Sequence, residues 1–387
     1  MSNPSNRRTK VVCLFNSFVG ISGGDIRFVE IFTRMKNLDK VVITPLIGKR
    51  FCAMKKLDAV FIQTTNEFVF KNIFFTYFMR ILKVLSLKTK INGDIIYSTS
   101  DFLPDVLPAF IWKSRSGNKK CKWVQTIFHL IPPPIQRGGH FTTNLISFSA
   151  QRLSFHLIRR SADLIFVLNN TVRDQLIKLG FSKNRIFVTG AGIDISQINE
   201  IQRAEGMDYD ASFLGRLHSS KGIFDLIEIW KLVVSKKKNE RLAIIYAGSR
   251  DLESALMNRI KQENLDSNVF MLSLMGKDAL SVVKSSKVFV FPSHEEGWGI
   301  VICEAMACGL PVVAYNLPVY KEIFAQGIVT VPLKDIKRFS EEVVNLLEND
   351  EKRRVLGDKA RSQAIMYDWG SVAAKELSLM KNELAQE

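Results

Sequence analysis

The chain has 387 residues, 47% of them hydrophobic and 24% charged, the composition of a globular protein long enough for two domains with separate cores. Its five cysteines, at 13, 52, 121, 303 and 308, show neither metal-ligand spacing nor an even disulfide framework, which points to reduced thiols in a cytoplasmic protein. The net charge of +16 is uneven: residues 1–195 carry 29 Lys and Arg against 11 Asp and Glu, +18, whereas residues 196–387 carry 25 against 27, −2.

Residues 1–10 are polar and basic, and the apolar run VVCLF at 11–15 is too short for the core of a signal peptide. That run reads as a first strand, followed by a loop at 16–25 containing Gly20, Gly23 and Gly24. Phe28, Ile31, Phe32 and Met35 then fall on one face of an amphipathic helix. Strand, glycine loop and helix open a doubly wound domain, although the G-x-G-x-x-G dinucleotide spacing is absent. Residues 41–47 and 59–63 read as further strands. The stretch 68–87 is the most apolar, but Lys71, Arg80 and Lys83 interrupt it. It lacks the roughly 20 consecutive apolar residues of a transmembrane helix. It reads as a helix either buried in the core or lying on a membrane with its cations reaching the headgroups.

Residues 94–98 and 123–128 read as strands, separated by a basic surface loop at 113–122. His129 follows the second of them, at a strand's C-terminal end, where doubly wound sheets place their ligands. A strand at 162–168 and a helix at 171–179 ending at Gly180 come next. Residues 185–189 then lead into G-A-G-I-D, ending at Asp194. The domain boundary is expected near Ser196, with a polar linker running to Asp210.

The second half opens with a strand at 211–214 and the string G-R-L-H-S-S-K-G. Gly215 would permit a turn, and Arg216 and Lys221 flank a loop before a helix, one a planar donor fork and the other a point charge. Strands follow at 242–247 and 268–274 and a short helix at 277–284. Val288, Phe289, Val290 and Phe291 form a buried strand that Pro292 ends. The turn at 293–299 holds two glycines and adjacent carboxylates, and from Ile300 to Cys308 the spacing is helical until Gly309 and Pro311 stop it. Free N–H groups at such a helix N-terminus suit a phosphate, and Gly297 and Gly299 let the backbone come close to it. Glu296 precedes the helix and Glu304 lies within it, so both carboxylates can face one pocket and accept hydrogen bonds from hydroxyl groups. Taken singly, Arg216 and Lys221 would read as surface cations, Glu296 as a helix cap, Glu304 as a solvated helix residue and His129 as structural.

Together the strings change the reading. P-S-H-E-E-G-W-G-I-V-I-C-E-A-M-A-C-G-L-P-V-V, at 292–313, resembles the signature of the large retaining GT-B glycosyltransferase family (glycosyl transferases group 1, family 4). G-R-L-x-x-x-K-G resembles that family's diphosphate-binding motif and lies upstream in the family's order. The resemblance implies an α/β protein of the GT-B class, two doubly wound Rossmann-like domains facing each other across a cleft. Residues 1–195 would bind the acceptor and 196–369 the donor, and a last helix at about 370–387 would pack back on the first domain. The donor would be a nucleotide-diphosphate sugar. Its diphosphate would meet Gly215, Arg216 and Lys221, its sugar hydroxyls Glu296, and its ribose Glu304, with Gly297, Trp298 and Gly299 also at the donor. The Gly23–Gly24 loop would approach the diphosphate and acceptor, and His129 the transferred sugar. Leu130 stands where the family often has Asp, and Ala191 where it usually has Asn.

No cofactor and no metal are expected, because cations and a helix dipole serve the leaving group. A basic first half asks for an anionic partner: a lipid-linked or membrane-borne glycan acceptor, and an anionic membrane surface to which a cytoplasmic enzyme binds peripherally. Nucleic acid is not expected, since the aromatics sit in apolar runs rather than interleaved with surface cations. A nucleotide-sugar epimerase on the same fold is the rival enzyme, and the Glu296/Glu304 string argues against it. The sugar and base are not legible.

Overall fold

A computed structural model describes residues 8–66, 72–87, 93–115, 121–137, 140–248 and 250–385. The chain forms two compact units, Met1–Gly190 with Trp369–Glu387, and Ala191–Asp368. The first unit alternates strand and helix throughout: β1 (Thr9–Leu14), α1 (Gly23–Arg34), β2 (Leu38–Thr44), α2 (Leu46–Met54), β3 (Val60–Gln63), α3 (Ile73–Leu85), β4 (Ile95–Ser98), α4 (Leu103–Arg115), β5 (Lys122–Ile127), α5 (Phe141–Ser161), β6 (Leu164–Val167), α6 (Asn170–Lys178) and β7 (Ile186–Val188). Its sheet has the order β3-β2-β1-β4-β5-β6-β7, and every pair is parallel. Helices cover both faces of such a sheet, so its central strands are continuous apolar runs, and Val11 to Leu14 are fully buried. Right-handed crossovers put α3, α4 and α5 side by side on one face, where α4 packs against both neighbours. The direction of winding reverses between β1 and β4.

The second unit repeats the plan with α7 (Ile195–Glu200), β8 (Tyr209–Leu217), α8 (Ile223–Lys236), β9 (Leu242–Gly248), α9 (Arg250–Gln262), β10 (Val269–Leu272), α10 (Gly276–Lys284), β11 (Ser286–Phe291), α11 (Ile300–Ala307), β12 (Val312–Tyr315), α12 (Pro318–Ile323), β13 (Ile328–Val331), α13 (Ile336–Glu348) and α14 (Asp350–Ala364). The order β10-β9-β8-β11-β12-β13 puts the winding reversal between β8 and β11. The core strand of this unit is β11, where Val288 to Phe291 are buried and Phe291 stacks on Phe213 at 5.6 Å.

The last helix, α15 (Trp369–Ala385), belongs to the first unit and packs on α1. A buried polar cluster holds it there. The Arg27 guanidinium is ion-paired to Glu376, and both side chains are almost wholly buried. Glu376 also accepts hydrogen bonds from Thr189 Oγ1 at 2.8 Å and Tyr97 Oη at 2.9 Å, and Arg27 Nε donates to the Gly190 carbonyl at 2.8 Å. Two buried charges persist together only when their remaining donors and acceptors are satisfied, as these are.

Several local expectations change. The strand expected over 41–47 ends at Thr44, because Pro45 cannot continue the ladder and instead caps α2. Arg80 does not reach outward from α3. It is buried and donates to the carbonyls of Asn16 at 3.0 Å and Phe18 at 2.6 Å. Lys71 lies outside the described residues. Of the basic loop expected over 113–122, Lys113 closes α4 and pairs with Asp163 at 2.8 Å, while Lys122 opens β5 and pairs with Glu383 at 3.2 Å. Lys119 and Lys120 lie outside the described residues. The division between units falls at Gly190 rather than near Ser196, because Ile193 already pairs with the second unit, donating to the Tyr367 carbonyl at 3.0 Å. The linker expected from Ser196 begins as α7, which Asp194 caps by accepting from Gln197 N–H at 2.9 Å.

Candidate active site

In an open doubly wound sheet, ligands bind beyond the carboxyl ends of the strands where the winding reverses. In the second unit that place lies between β8 and β11, and the two strings singled out in the sequence span the end of β8 and the residues following each strand. β8 runs further than the sequence suggested. Gly215 and Arg216 pair in register with Tyr246 and Ala247, so Gly215 makes no turn. Its lack of a side chain serves packing instead, since a Cβ there would come within 3.0 Å of the Phe213 ring. Arg216 thus sits near the end of a paired strand, exposed, and among the described residues it has no ion-pair partner.

After β8 the chain makes one 3-10 turn, Ser219–Lys221, and Gly222 follows with φ +66. A Cβ on Gly222 would stand 1.9 Å from the Pro292 carbonyl oxygen, so only glycine lets this turn rest on the end of β11. The contact is knitted by one backbone and one side-chain donor. His294 N–H donates to the Ser220 carbonyl at 2.8 Å, and Ser293 Oγ donates to the same oxygen at 3.2 Å. The result is that Lys221 Nζ lies 2.5 Å from Glu296 Oε1, 75 residues away in sequence. Ser293 Oγ stands 3.3 Å from that same carboxylate oxygen.

Neighbours that the sequence did not single out fix the loop. His294 Nε2 lies 2.8 Å from Asp225 Oδ2, on the first turn of α8, and Tyr315 Oη donates to that oxygen at 2.8 Å. Burial and this bond push the Tyr315 phenol far above its usual range. Tyr320 is buried, its hydroxyl has no hydrogen-bond partner among the described residues, and burial together with the nearby Glu296 raises its phenol strongly. Only the tyrosines' place in apolar runs was visible in the sequence.

Gly299 caps α11 in the left-handed region at φ +101, with Gly297 part-buried before it. Trp298, expected among the donor-binding side chains, is 3% exposed and packs edge-on against Phe324 and Tyr367 at 5.5 and 5.1 Å. Its ring anchors the loop to the core, and Gly299 beside it is buried as well. Glu304 is half-buried on α11, one turn beyond its start.

Gly23, Gly24 and His129 belong to the first unit and lie at the same edge of its sheet. Ser22 and Asp25 form a capping box at the start of α1. A Cβ on Gly24 would come within 2.7 Å of the Phe128 ring, so this glycine brings α1 against the residue before His129. His129 is exposed, and its carbonyl accepts from Gln151 Nε2 at 3.0 Å. The same amide donates to Asp101 Oδ2 at 2.7 Å, and Gln151 Oε1 accepts from Ile131 N–H at 2.8 Å. Burial pushes the Asp101 carboxyl up, and Gln151 and His129 oppose that rise. At the winding reversal, the fully buried Asp105 accepts from Asn16 N–H at 2.8 Å, Ser17 N–H at 3.0 Å and Ser100 Oγ at 2.6 Å. It so ties the loop after β1 to the loop after β4. Burial nonetheless pushes its carboxyl up to about 6. Among the described residues no three His, Cys, Asp or Glu side chains are grouped as a metal ion would require, and no helix is long and apolar enough to cross a membrane.

Two doubly wound units, with cationic and acidic side chains on loops flanking a winding reversal, define the GT-B class. Solved structures share this fold: HepE of Anabaena, in complex with UDP and glucose, superposes with a TM-score of 0.75 at 16% identity, over 97% of this chain and 100% of that one. Residues 194–363 match the family described as Glycosyl transferases group 1. The capsular polysaccharide biosynthesis glycosyltransferase CapM of Staphylococcus aureus is 26% identical over 243 residues, 58% of this chain and 62% of CapM. The match thus spans less than two thirds of that relative's length. The uncharacterized glycosyltransferase MJ1069 of Methanocaldococcus jannaschii is 22% identical over 385 residues, 92% of this chain and 94% of that protein.

Proposed function

We propose that this protein transfers a sugar, with retention of configuration and without a metal ion, from a nucleotide-diphosphate sugar to a lipid-linked or membrane-borne acceptor in cell-envelope glycan or glycolipid synthesis. The observation that carries the reading is the junction of the two strings, where Gly222 against Pro292 brings Lys221 to Glu296. A cation and a carboxylate are held side by side where doubly wound sheets bind ligands. The leaving diphosphate gains charge as the glycosidic bond breaks. Arg216, Lys221 and the N–H groups at 297–299 would stabilise that charge, being aimed before the reaction begins. Glu296 would accept hydrogen bonds from sugar hydroxyls and Glu304 from the ribose, while His129 would contact the sugar or its phosphate. Lys221 must then share its charge between Glu296 and the incoming diphosphate. The complex of HepE with UDP and glucose and the capsular role in the name of CapM support this donor and acceptor class.

A panel of nucleotide-diphosphate sugars tested by thermal shift examines the reading. A ligand at 100 times its Kd stabilises the folded state by about 2.7 kcal/mol, so the matching donor should raise the melting temperature and a free sugar should not. The anomeric proton of the product, followed by NMR, should keep the donor's configuration. Conversion of the sugar in donor alone, with no acceptor present, would favour the epimerase reading instead.

A further inference from the structure

In the first unit, the later turns of α5 and the end of α6 enclose a cavity of about 260 Å³ lined by Arg152, Phe155, His156, Arg159, Leu179 and Phe181. One water needs only roughly 10–15 Å³ of such space, so a small molecule fits. α5 leads directly into β6, and Leu179 and Phe181 lie between α6 and β7. The cavity therefore sits toward the amino edge of the parallel sheet. At a rise of about 1.5 Å per residue, Arg152 and Arg159 stand about 16 and 27 Å along α5 from its start. Ligands of doubly wound domains that react lie beyond the carboxyl ends of the strands, the edge of Gly23, Gly24 and His129. This is a different place.

Its chemistry is divided between floor and rim. Phe155 and Phe181 are buried, their rings edge-on at 5.7 Å, and make an apolar floor. Arg152, His156 and Arg159 are exposed and follow at steps of four and three, so they share one face of α5. Like charges so spaced repel, and α5 has no Asp or Glu to relieve them. From Arg152 to Arg185 the sequence has seven Lys and Arg against Asp163 and Asp174. Those two carboxylates are taken by Lys113 at 2.8 Å and Arg173 at 3.2 Å. Service to helix ends explains only part of the cluster. Arg159, in the last turn of α5, donates to the Leu179 carbonyl at 3.0 Å and so closes α6. Arg152 and His156 stand before that turn, where the helix dipole no longer reaches. Arg152 lies over the Phe148 ring at 4.8 Å, and among the described residues neither it nor His156 makes a hydrogen bond or ion pair.

Cations without partners around an apolar floor suit an anion that carries an apolar group. Two guanidinium forks and an imidazole match the three oxygens of a phosphate ester better than the two of a carboxylate. A nucleic-acid strand would need a stripe of cations with exposed stacking faces, whereas the rings here are buried beneath the cations. We propose that this cavity binds a phosphate ester with a small apolar group, its phosphate meeting Arg152, His156 and Arg159 and its organic part resting on Phe155 and Phe181. The site is separate from sugar transfer and does not rest on the transferase reading.

The test is calorimetric titration of the full chain with phenyl phosphate, inorganic phosphate and phenol. Phenyl phosphate should bind more tightly than inorganic phosphate, and phenol should not bind measurably, since the rim requires charge and the floor an apolar group. Arg152→Gln with His156→Gln should weaken phenyl phosphate binding by about tenfold or more and keep the wild-type melting temperature, because both side chains are exposed and unpaired. Arg152→Glu should abolish binding. Arg216→Ala with Lys221→Ala should bind phenyl phosphate as the wild type does, which separates this cavity from the proposed donor loops. Glycerol phosphate and dihexanoyl phosphatidic acid distinguish a soluble ester from a lipid phosphate: the one that binds more tightly, and loses that binding in the Arg152 and His156 pair, is the class of the natural ligand. No binding of phenyl phosphate by the wild type at millimolar concentration would overturn the proposal. So would unchanged binding in the Arg152 and His156 pair, or binding that disappears in the Arg216 and Lys221 pair. A melting temperature that still rises with donor sugar in the Arg152 and His156 pair would uphold the transferase reading whichever way the cavity is decided.

Discussion

Gly222→Ala tests how the two halves of the proposed donor site are joined. A non-glycine residue in the left-handed region costs about 1–2 kcal/mol, and here a second term is added. The new Cβ would fall 1.9 Å from the Pro292 carbonyl oxygen, a distance at which the backbone must move. Shifting the turn by about an ångström would break the bond from His294 N–H to Ser220, 2.8 Å long, and draw Lys221 away from Glu296. A misplacement of that size costs on the order of 100-fold in rate when it concerns a group positioned for the reaction. The expected outcome is turnover reduced by about two orders of magnitude, with a loss of about 1–3 kcal/mol in urea unfolding. Steady-state transfer and urea melts measure the two effects separately. A variant with wild-type turnover and wild-type stability would refute the claim that this contact assembles the site.

Other consequences follow from the same structure. Glu376→Ala leaves the buried Arg27 charge without its partner and should cost about 3–5 kcal/mol in urea unfolding, whereas Arg27→Met with Glu376→Leu should cost much less. Asp105 titrates near 6 in the folded chain and near 3.9 when unfolded, so the folded state binds its proton more tightly. Stability relative to Asp105→Asn should therefore fall as pH rises from about 4 to about 6, by at most about 3 kcal/mol, and level off above. A flat difference between the two proteins would contradict that assignment. Turnover should persist in excess EDTA, because protein cations are proposed to stabilise the diphosphate; complete loss that a divalent ion restores would contradict it.

What the sequence disclosed and what it hid have physical reasons. The strand 288–291 was legible because a strand buried on both faces is a continuous apolar run bounded by turn residues. The turn before α8 was legible because a glycine beside polar residues punctuates the chain ahead of an apolar periodic run. Gly215 misled because an isolated glycine reads as punctuation, and only the register with Tyr246 shows that the strand continues. Trp298 sits between two glycines in the expected donor loop, and nothing local reveals that its partners are Phe324 and Tyr367. Arg80 interrupts an apolar helix as a membrane-facing cation would, yet its partners are carbonyls of the loop after β1. Arg27 and Glu376 lie 349 residues apart, and no periodicity or motif links charges across such a span. The Asp225–His294–Tyr315 cluster was hidden for the same reason, its members standing on three different elements.

The most direct test of the central claim is calorimetric titration of the wild type, Arg216→Ala and Lys221→Ala with the nucleotide-diphosphate sugar found by thermal shift. Both side chains lie at the open end of the second unit's sheet, so neither change should unfold the protein. The wild type should bind, and each variant should bind more weakly by about 1.5–3 kcal/mol, the size of a hydrogen bond to a charged group. Binding by both variants as tight as the wild type's, or no binding of any nucleotide-diphosphate sugar by the wild type, would contradict it.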